Sequence, residues 1–184
     1  MFRLDIPERE FFDEKKQEFI YVKPMTISLE HSLLSISKWE SKWKTPFLTK
    51  QDFTYDESIE YIKCMTVTTC VPDTAYLAIT QKSIQEVWKY IDDEMTATWF
   101  NDKKEGAPKS KRRSQAVTSE LVYYWMVSYG IPFTCEKWHF NRLLTLIKIC
   151  EIKNAPSKKM KNKEILAQNR SLNAERRKRL GTKG

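Results

Sequence analysis

The sequence predicts a mainly α-helical fold: a helical domain with a small N-terminal antiparallel β element and a basic C-terminal helix or tail. Three observations predict it. Apolar residues alternate only near the N-terminus, they recur at three- and four-residue spacing from about residue 29 to about residue 152, and the positive excess sits at the C-terminal end. The chain has 184 residues and a formal charge of +8. Residues 1–155 carry 22 basic and 22 acidic side chains, whereas residues 156–184 carry ten basic residues and two acidic ones, Glu164 and Glu175. The chain therefore divides into an electroneutral body over 1–155 and a basic segment over 156–184. A hydrophobic content of 41% supplies a real core and excludes wholesale disorder.

Each element follows from local pattern. Phe2, Leu4 and Ile6 alternate with Arg3 and Asp5, the period of a half-buried strand. Phe19-Ile20-Tyr21-Val22 forms a second β-rich run ended by Pro24, and the two runs are expected to pair. Leu29, Leu33, Ile36 and Trp43 mark one face of a helix over about 29–44, stopped before Pro46. Thr54-Tyr55-Asp56-Glu57 is a capping box, and the helix that it opens turns Ile59, Ile62 and Met65 inward. After Val71-Pro72-Asp73, the run Ala75-Tyr76-Leu77 adds a short helical turn. A helix over about 81–91 follows, with Ile84, Val87, Trp88 and Ile91 on one face.

Residues 101–115, with Gly106, Pro108 and six basic residues, are expected to form a mobile basic connection that divides the body. Beyond it, Thr118 or Ser119 caps a helix from Leu121 to Tyr129 that is apolar nearly all round. Such a helix belongs within a core or beneath a partner. Gly130 supplies a left-handed end and Pro132 prevents continuation. Thr134 is placed to cap a second helix running to about Ile152, which should pack on the first as a helical hairpin. In the final segment, Ser157 is a cap for a helix over 158–180 whose apolar stripe (Ile165, Leu166, Asn169, Leu172) is too thin to be stable undocked.

Composition excludes much chemistry. No apolar run approaches the roughly 20 residues that span a bilayer, and the N-terminus lacks the order of a secretory signal, so a cytosolic setting is expected. The phosphate-loop, dinucleotide, nucleophile-elbow and zinc-protease motifs are missing, and there are only four glycines. His31 and His139 are the only histidines. Cys135 and His139 stand four apart, yet without a second pair or an orienting group they read as core residues. Asp92-Asp93-Glu94 reads as a solvated helix end. No enzyme, cofactor or metal is expected.

What remains is binding chemistry. Trp39 and Trp43 share one helical face flanked by Lys38, Lys42 and Lys44, an arrangement that serves either the core, a partner protein or stacked bases. With Tyr124, Trp125 and Trp138 they form the set of partner-binding candidates. The basic candidates are Arg170, Arg176, Arg177, Lys178 and Arg179, which suit phosphates or an acidic protein surface equally.

Several segments carry a family resemblance. Ser35-Ile36-Ser37-Lys38-Trp39-Glu40-Ser41-Lys42-Trp43, the run from Thr118 to Met126, the run from Cys135 to Leu144, and Asn169-Arg170-Ser171-Leu172-Asn173-Ala174 together resemble a bacteriophage tail-gene family, that of the tail assembly chaperones of long-tailed phages. The resemblance extends over most of the chain. It implies a non-enzymatic protein that keeps the tape measure protein and tail tube subunits soluble until the tube polymerises. It further implies action in the host bacterial cytoplasm, absence from the mature virion, and kinship with the shorter of two frameshift-related forms. The alternative is a nucleic-acid-binding accessory protein that uses the basic tail and the 103–113 stretch.

Overall fold

Two prolines organise the N-terminal third. In the computed structural model, which describes residues 1–14, 17–98, 100, 116–155 and 162–181, strands β1 (Phe2–Ile6) and β4 (Met25–Leu29) pair antiparallel, as do β2 (Arg9–Asp13) and β3 (Glu18–Val22). Of residues 162–165, 167–169, 175 and 178 only the backbone is described. Both ladders keep one register: Phe2 faces Leu29 and Arg9 faces Val22, so that Pro7 and Pro24 fall at opposing positions. Neither proline has an N–H to donate, and the long hairpin breaks there into two ribbons. The sequence places β1 against the 19–22 run. Its partner is instead β4, because the prolines fix the register and the 19–22 run is already paired with β2.

The β1–β4 ribbon turns Leu4, Ile6, Ile27 and Leu29 into the core. Leu29 thus belongs to a strand and not to the first helix. Helix α1 (Leu33–Trp43) begins after Ser32, whose hydroxyl accepts from the Ser35 amide, and it ends on Lys44 in the left-handed region. It buries Leu33, Ile36, Trp39 and Glu40. Helix α2 (Tyr55–Met65) opens with the expected capping box: Thr54 accepts from the Glu57 amide, and the Glu57 carboxylate accepts from the Thr54 amide at 2.8 Å. It buries Ile62 and Met65, with Ile59 half-buried. Its exit is tied to β4 by Glu30 N–H donating to Met65 and Val67 N–H donating to Ser28.

A 3-10 turn over Asp73–Ala78 precedes α3 (Gln81–Ile91), which matches its expected limits and is capped by Thr80. Helix α4 (Ser119–Ser128) ends as the sequence requires, with Gly130 at φ +65° and Ile131 N–H donating back to Met126. The following helix departs from expectation. Residues Phe133–Lys137 form a 3-10 turn, and α5 (Phe140–Asn154) starts six residues after Thr134. The reason is tertiary: His139 bridges to Ser32, and Phe140 N–H donates to the His31 carbonyl. The expected hairpin of two helices is also replaced. Helix α4 packs on α1, while Asn141 of α5 donates to the Ile91 and Asp93 carbonyls at the end of α3.

Residues 1–151 and residues 152–184 form two compact units. The second contains α6 (Asn162–Leu180), within the expected helical segment. The expected mobile connection at 101–115 and the cap at Ser157 lie outside the described residues. Among the described residues no helix is long and apolar enough to cross a membrane. The protein is mainly α, and among the described residues its strands lie in the N-terminal ribbons, with isolated bridges from Leu29 to Thr66 and from Ser32 to His139.

Candidate protein-docking surface

The two indoles of α1 have separate fates. Trp39 is fully buried, its Nε1–H donating to the Glu57 carbonyl at 3.2 Å. Phe47 and Phe53 pack on it at centroid distances of 5.3 and 5.5 Å, and Trp88 lies 4.7 Å from Phe53. Trp39 therefore belongs to the core and is withdrawn from the partner-binding set. Trp43 stacks on Trp39 at 6.0 Å and stays partly exposed at the helix end. Sharing a helical face did not give the two residues the same environment, because α2 and the Phe47–Thr49 turn cover only the first.

Helix α4 supplies the clearest exposed apolar surface. Val122 and Met126 are buried against the body, while Tyr124 is 65% and Val127 63% exposed. Trp125 is half-buried beside them. Phe133, in the turn after α4, is exposed, with its ring 6.3 Å from Tyr123. Tyr123 donates to the Glu136 carboxylate at 2.9 Å, and burial together with that carboxylate pushes its phenol well above the ordinary value. This bond fixes the turn against the helix, so Tyr124, Val127 and Phe133 are displayed on a rigid support. Their exposure leaves apolar area that water solvates poorly and a partner gains by covering.

The N-terminus of α4 is held from outside. The Glu40 carboxylate accepts from Ser119 N–H at 2.8 Å, from the Ser119 hydroxyl at 2.5 Å and from Phe47 N–H at 2.8 Å. Thr118, expected as a cap, makes no side-chain capping bond. A carboxylate at the first turn of a helix meets free amides and the positive end of the dipole, so Glu40 acts as the cap from another helix.

Trp138 occupies a different place. It is partly exposed, with the Arg142 guanidinium 4.6 Å from its ring centroid. Trp138 and Arg142 line a cleft of about 370 Å³ with Thr98, Thr145 and Ile149. A neighbouring cleft of about 380 Å³ shares Thr98 and Thr145 and adds Asn141 and Lys148. Lys148 stands 4.2 Å from the Phe100 ring. The cation on each ring makes this an amphipathic surface rather than an apolar one.

Sequence reasoning missed the meeting of the two histidines. Their rings are 5.2 Å apart, centroid to centroid, inside the body. His31 Nδ1 is hydrogen-bonded to the Tyr61 hydroxyl at 2.6 Å, and His139 Nε2 lies 3.2 Å from the Tyr90 carbonyl. His139 Nδ1 is buried without a hydrogen-bond partner among the described residues. Burial, reinforced by His139, lowers the His31 pKa to about 3, and burial lowers His139 as well. Residues so far apart in sequence give no local signal of such a pair. Cys135 is buried nearby in sequence, while Cys70 is exposed. Asp93 accepts from Met95 N–H at the exposed end of α3. Among the described residues, no group of three or more His, Cys, Asp or Glu side chains is arranged to hold a metal ion.

In the second unit, Arg170, Arg176, Arg177 and Arg179 are exposed on α6, as are Leu166, Leu172 and Leu180. Lys178 lies on the same helix, but its side chain is outside the described residues. No family model, no curated protein and no solved structure matches this chain.

Proposed function

We propose that this chain is a non-enzymatic tail assembly chaperone of a long-tailed phage. It binds apolar helical segments of the tape measure protein, and tail tube subunits, before the tube polymerises. One observation carries the reading: α4 presents Tyr124 and Val127 outward from a support clamped by Glu40. A chaperone of helical segments needs apolar anchors on a preorganised frame, so that the ordering cost falls on the client alone. The Trp- and Tyr-rich segments that carry the family resemblance include this helix. In this reading the protein works in the host bacterial cytoplasm and is absent from the mature virion, and the arginines of α6 add long-range attraction to acidic clients.

The test is co-expression with the tape measure protein of the same phage, followed by co-purification at moderate salt. A stable complex that withstands salt supports an apolar contact. Failure to form a complex, together with salt-sensitive retention of DNA lost on removing residues 156–184, would replace this reading with the nucleic-acid-binding one.

A further inference from the structure

Among the described residues, the outward face of the β2–β3 ladder gathers aromatic rings and a carboxylate with no cation on that face within the ladder; Glu8 and the exposed Lys23 lie just beyond its end. Alternation turns Phe11, Ile20 and Val22 toward one side and leaves Glu10, Phe12, Phe19 and Tyr21 on the other. Phe12 and Phe19 are direct cross-strand partners with centroids 5.0 Å apart, and Phe19 is 69% exposed. The exposed Tyr21 hydroxyl donates to the Glu8 carboxylate. That bond, with the nearby charges of Glu8 and Glu10, raises the phenol pKa. Phosphate would be repelled by these carboxylates. A guanidinium gains twice, from the ring faces and from a charge-assisted hydrogen bond.

The chain itself contains a helix of that chemistry. Within α6 there are six basic and two acidic residues. Leu166, Leu172 and Leu180 are exposed, and at about 100° per residue they fall within one third of the helix circumference. Arg170 and Arg177 are two turns apart beside that strip, and Arg176 lies within it. Leucines opposite Phe12 and Phe19, with arginines opposite Glu8 and Glu10, would cover both surfaces. Each surface alone leaves apolar groups exposed: Phe12, Phe19 and Tyr21 on the ribbon, and Leu166, Leu172 and Leu180 on α6.

We propose that the outward face of the β2–β3 ribbon binds helix α6 of a second copy of this chain, in a reciprocal two-fold dimer. Two identical contacts related by a two-fold axis close the assembly and prevent open polymerisation. The attraction is partly ionic, so the dimer weakens as salt rises.

Sedimentation velocity on the full chain, over a concentration series at low and moderate salt, tests this. The expected result is a reversible monomer–dimer equilibrium that shifts toward monomer with salt. Phe19→Ser and Arg177→Glu should each weaken it by about tenfold, with circular dichroism unchanged because both residues are exposed. Mixing Glu10→Arg protein with Arg177→Glu protein should restore part of the association. A monomer under all conditions would overturn the proposal, including one in which α6 covers the ribbon of its own chain. So would a dimer indifferent to either the ribbon or the α6 substitutions.

Discussion

Glu40 of α1 accepts hydrogen bonds from both the backbone amide and the hydroxyl of Ser119, 79 residues further along the chain. A third bond, from Phe47 N–H, ends on the other oxygen of the same buried carboxylate. One side chain therefore caps α4, pins the turn after α1 and joins two distant helices. Removing it with Glu40→Ala leaves the Ser119 and Phe47 donors buried and unpaired. The expected loss is about 3 kcal/mol of unfolding free energy, read from urea titration by circular dichroism. Glu40→Gln retains one acceptor and should lose less. A change below about 1 kcal/mol for Ala would show that water replaces the carboxylate.

The histidine pair makes stability depend on pH, and the sign follows from burial. His31 has its folded-state pKa lowered to about 3, and His139 is lowered as well. The unfolded chain takes up both protons near the ordinary value of about 6.5. Below that pH the unfolded state binds more protons, so stability is complete above it and falls as pH drops through the interval. The slope is about 1.4 kcal/mol per pH unit for each histidine that remains neutral in the fold. Unfolding midpoints measured between about pH 7 and pH 5, above most carboxylate titrations, read this slope. His31→Gln should flatten it; a slope unchanged by that substitution would assign the acid sensitivity elsewhere.

The tryptophans of α1 should separate cleanly in a stability measurement. Trp39→Ala empties the centre of the aromatic cluster and is expected to cost about 3–5 kcal/mol. Trp43→Ala loses one stacking contact at a partly exposed position, about 1 kcal/mol. Thermal unfolding of the two variants checks the ratio. Comparable losses would mean that Trp43 supports the core more than its exposure indicates.

Tyr124 and Val127 should show the reverse of Trp39, with little loss of stability and a large loss of binding. The double substitution Tyr124→Ser with Val127→Ser alters exposed side chains, and the change in stability is expected to stay within about 1 kcal/mol. Capture of the tape measure protein in a quantitative pull-down should fall by about tenfold or more. Undiminished capture by a folded variant would remove α4 from the docking surface. Trp125→Ala, at a half-buried site, should reduce both stability and capture.

Legibility in the sequence tracked the range of the interactions. The Thr54–Glu57 capping box and the limits of α3 depend on residues three or four apart, and both were readable. The all-round apolar character of α4 was readable too, but it left open burial in the core or beneath a partner, and which of its residues stay exposed was not readable. The start of α5 was not, because its position depends on backbone bonds from His139 and Phe140 to the His31–Ser32 segment. The aromatic face of the β2–β3 ribbon had a faint signal, the alternation of Glu10 with Phe12 and of Phe19 with Tyr21. Without the pairing register it could not be joined into one surface.

The sequence by itself determined a neutral, mainly helical body, the Thr54–Glu57 capping box, the break at Gly130–Pro132, and the confinement of the +8 charge to the end of the chain. These are properties of composition and of near neighbours, whose steric and hydrogen-bonding rules act before the chain closes on itself. Only the tertiary structure decided that Trp39 is covered while Trp43 stays partly exposed, that Glu40 caps a helix it does not belong to, and that the two histidines are buried together. Burial is a relation between distant segments, and each of these outcomes depends on which partner arrives to exclude water.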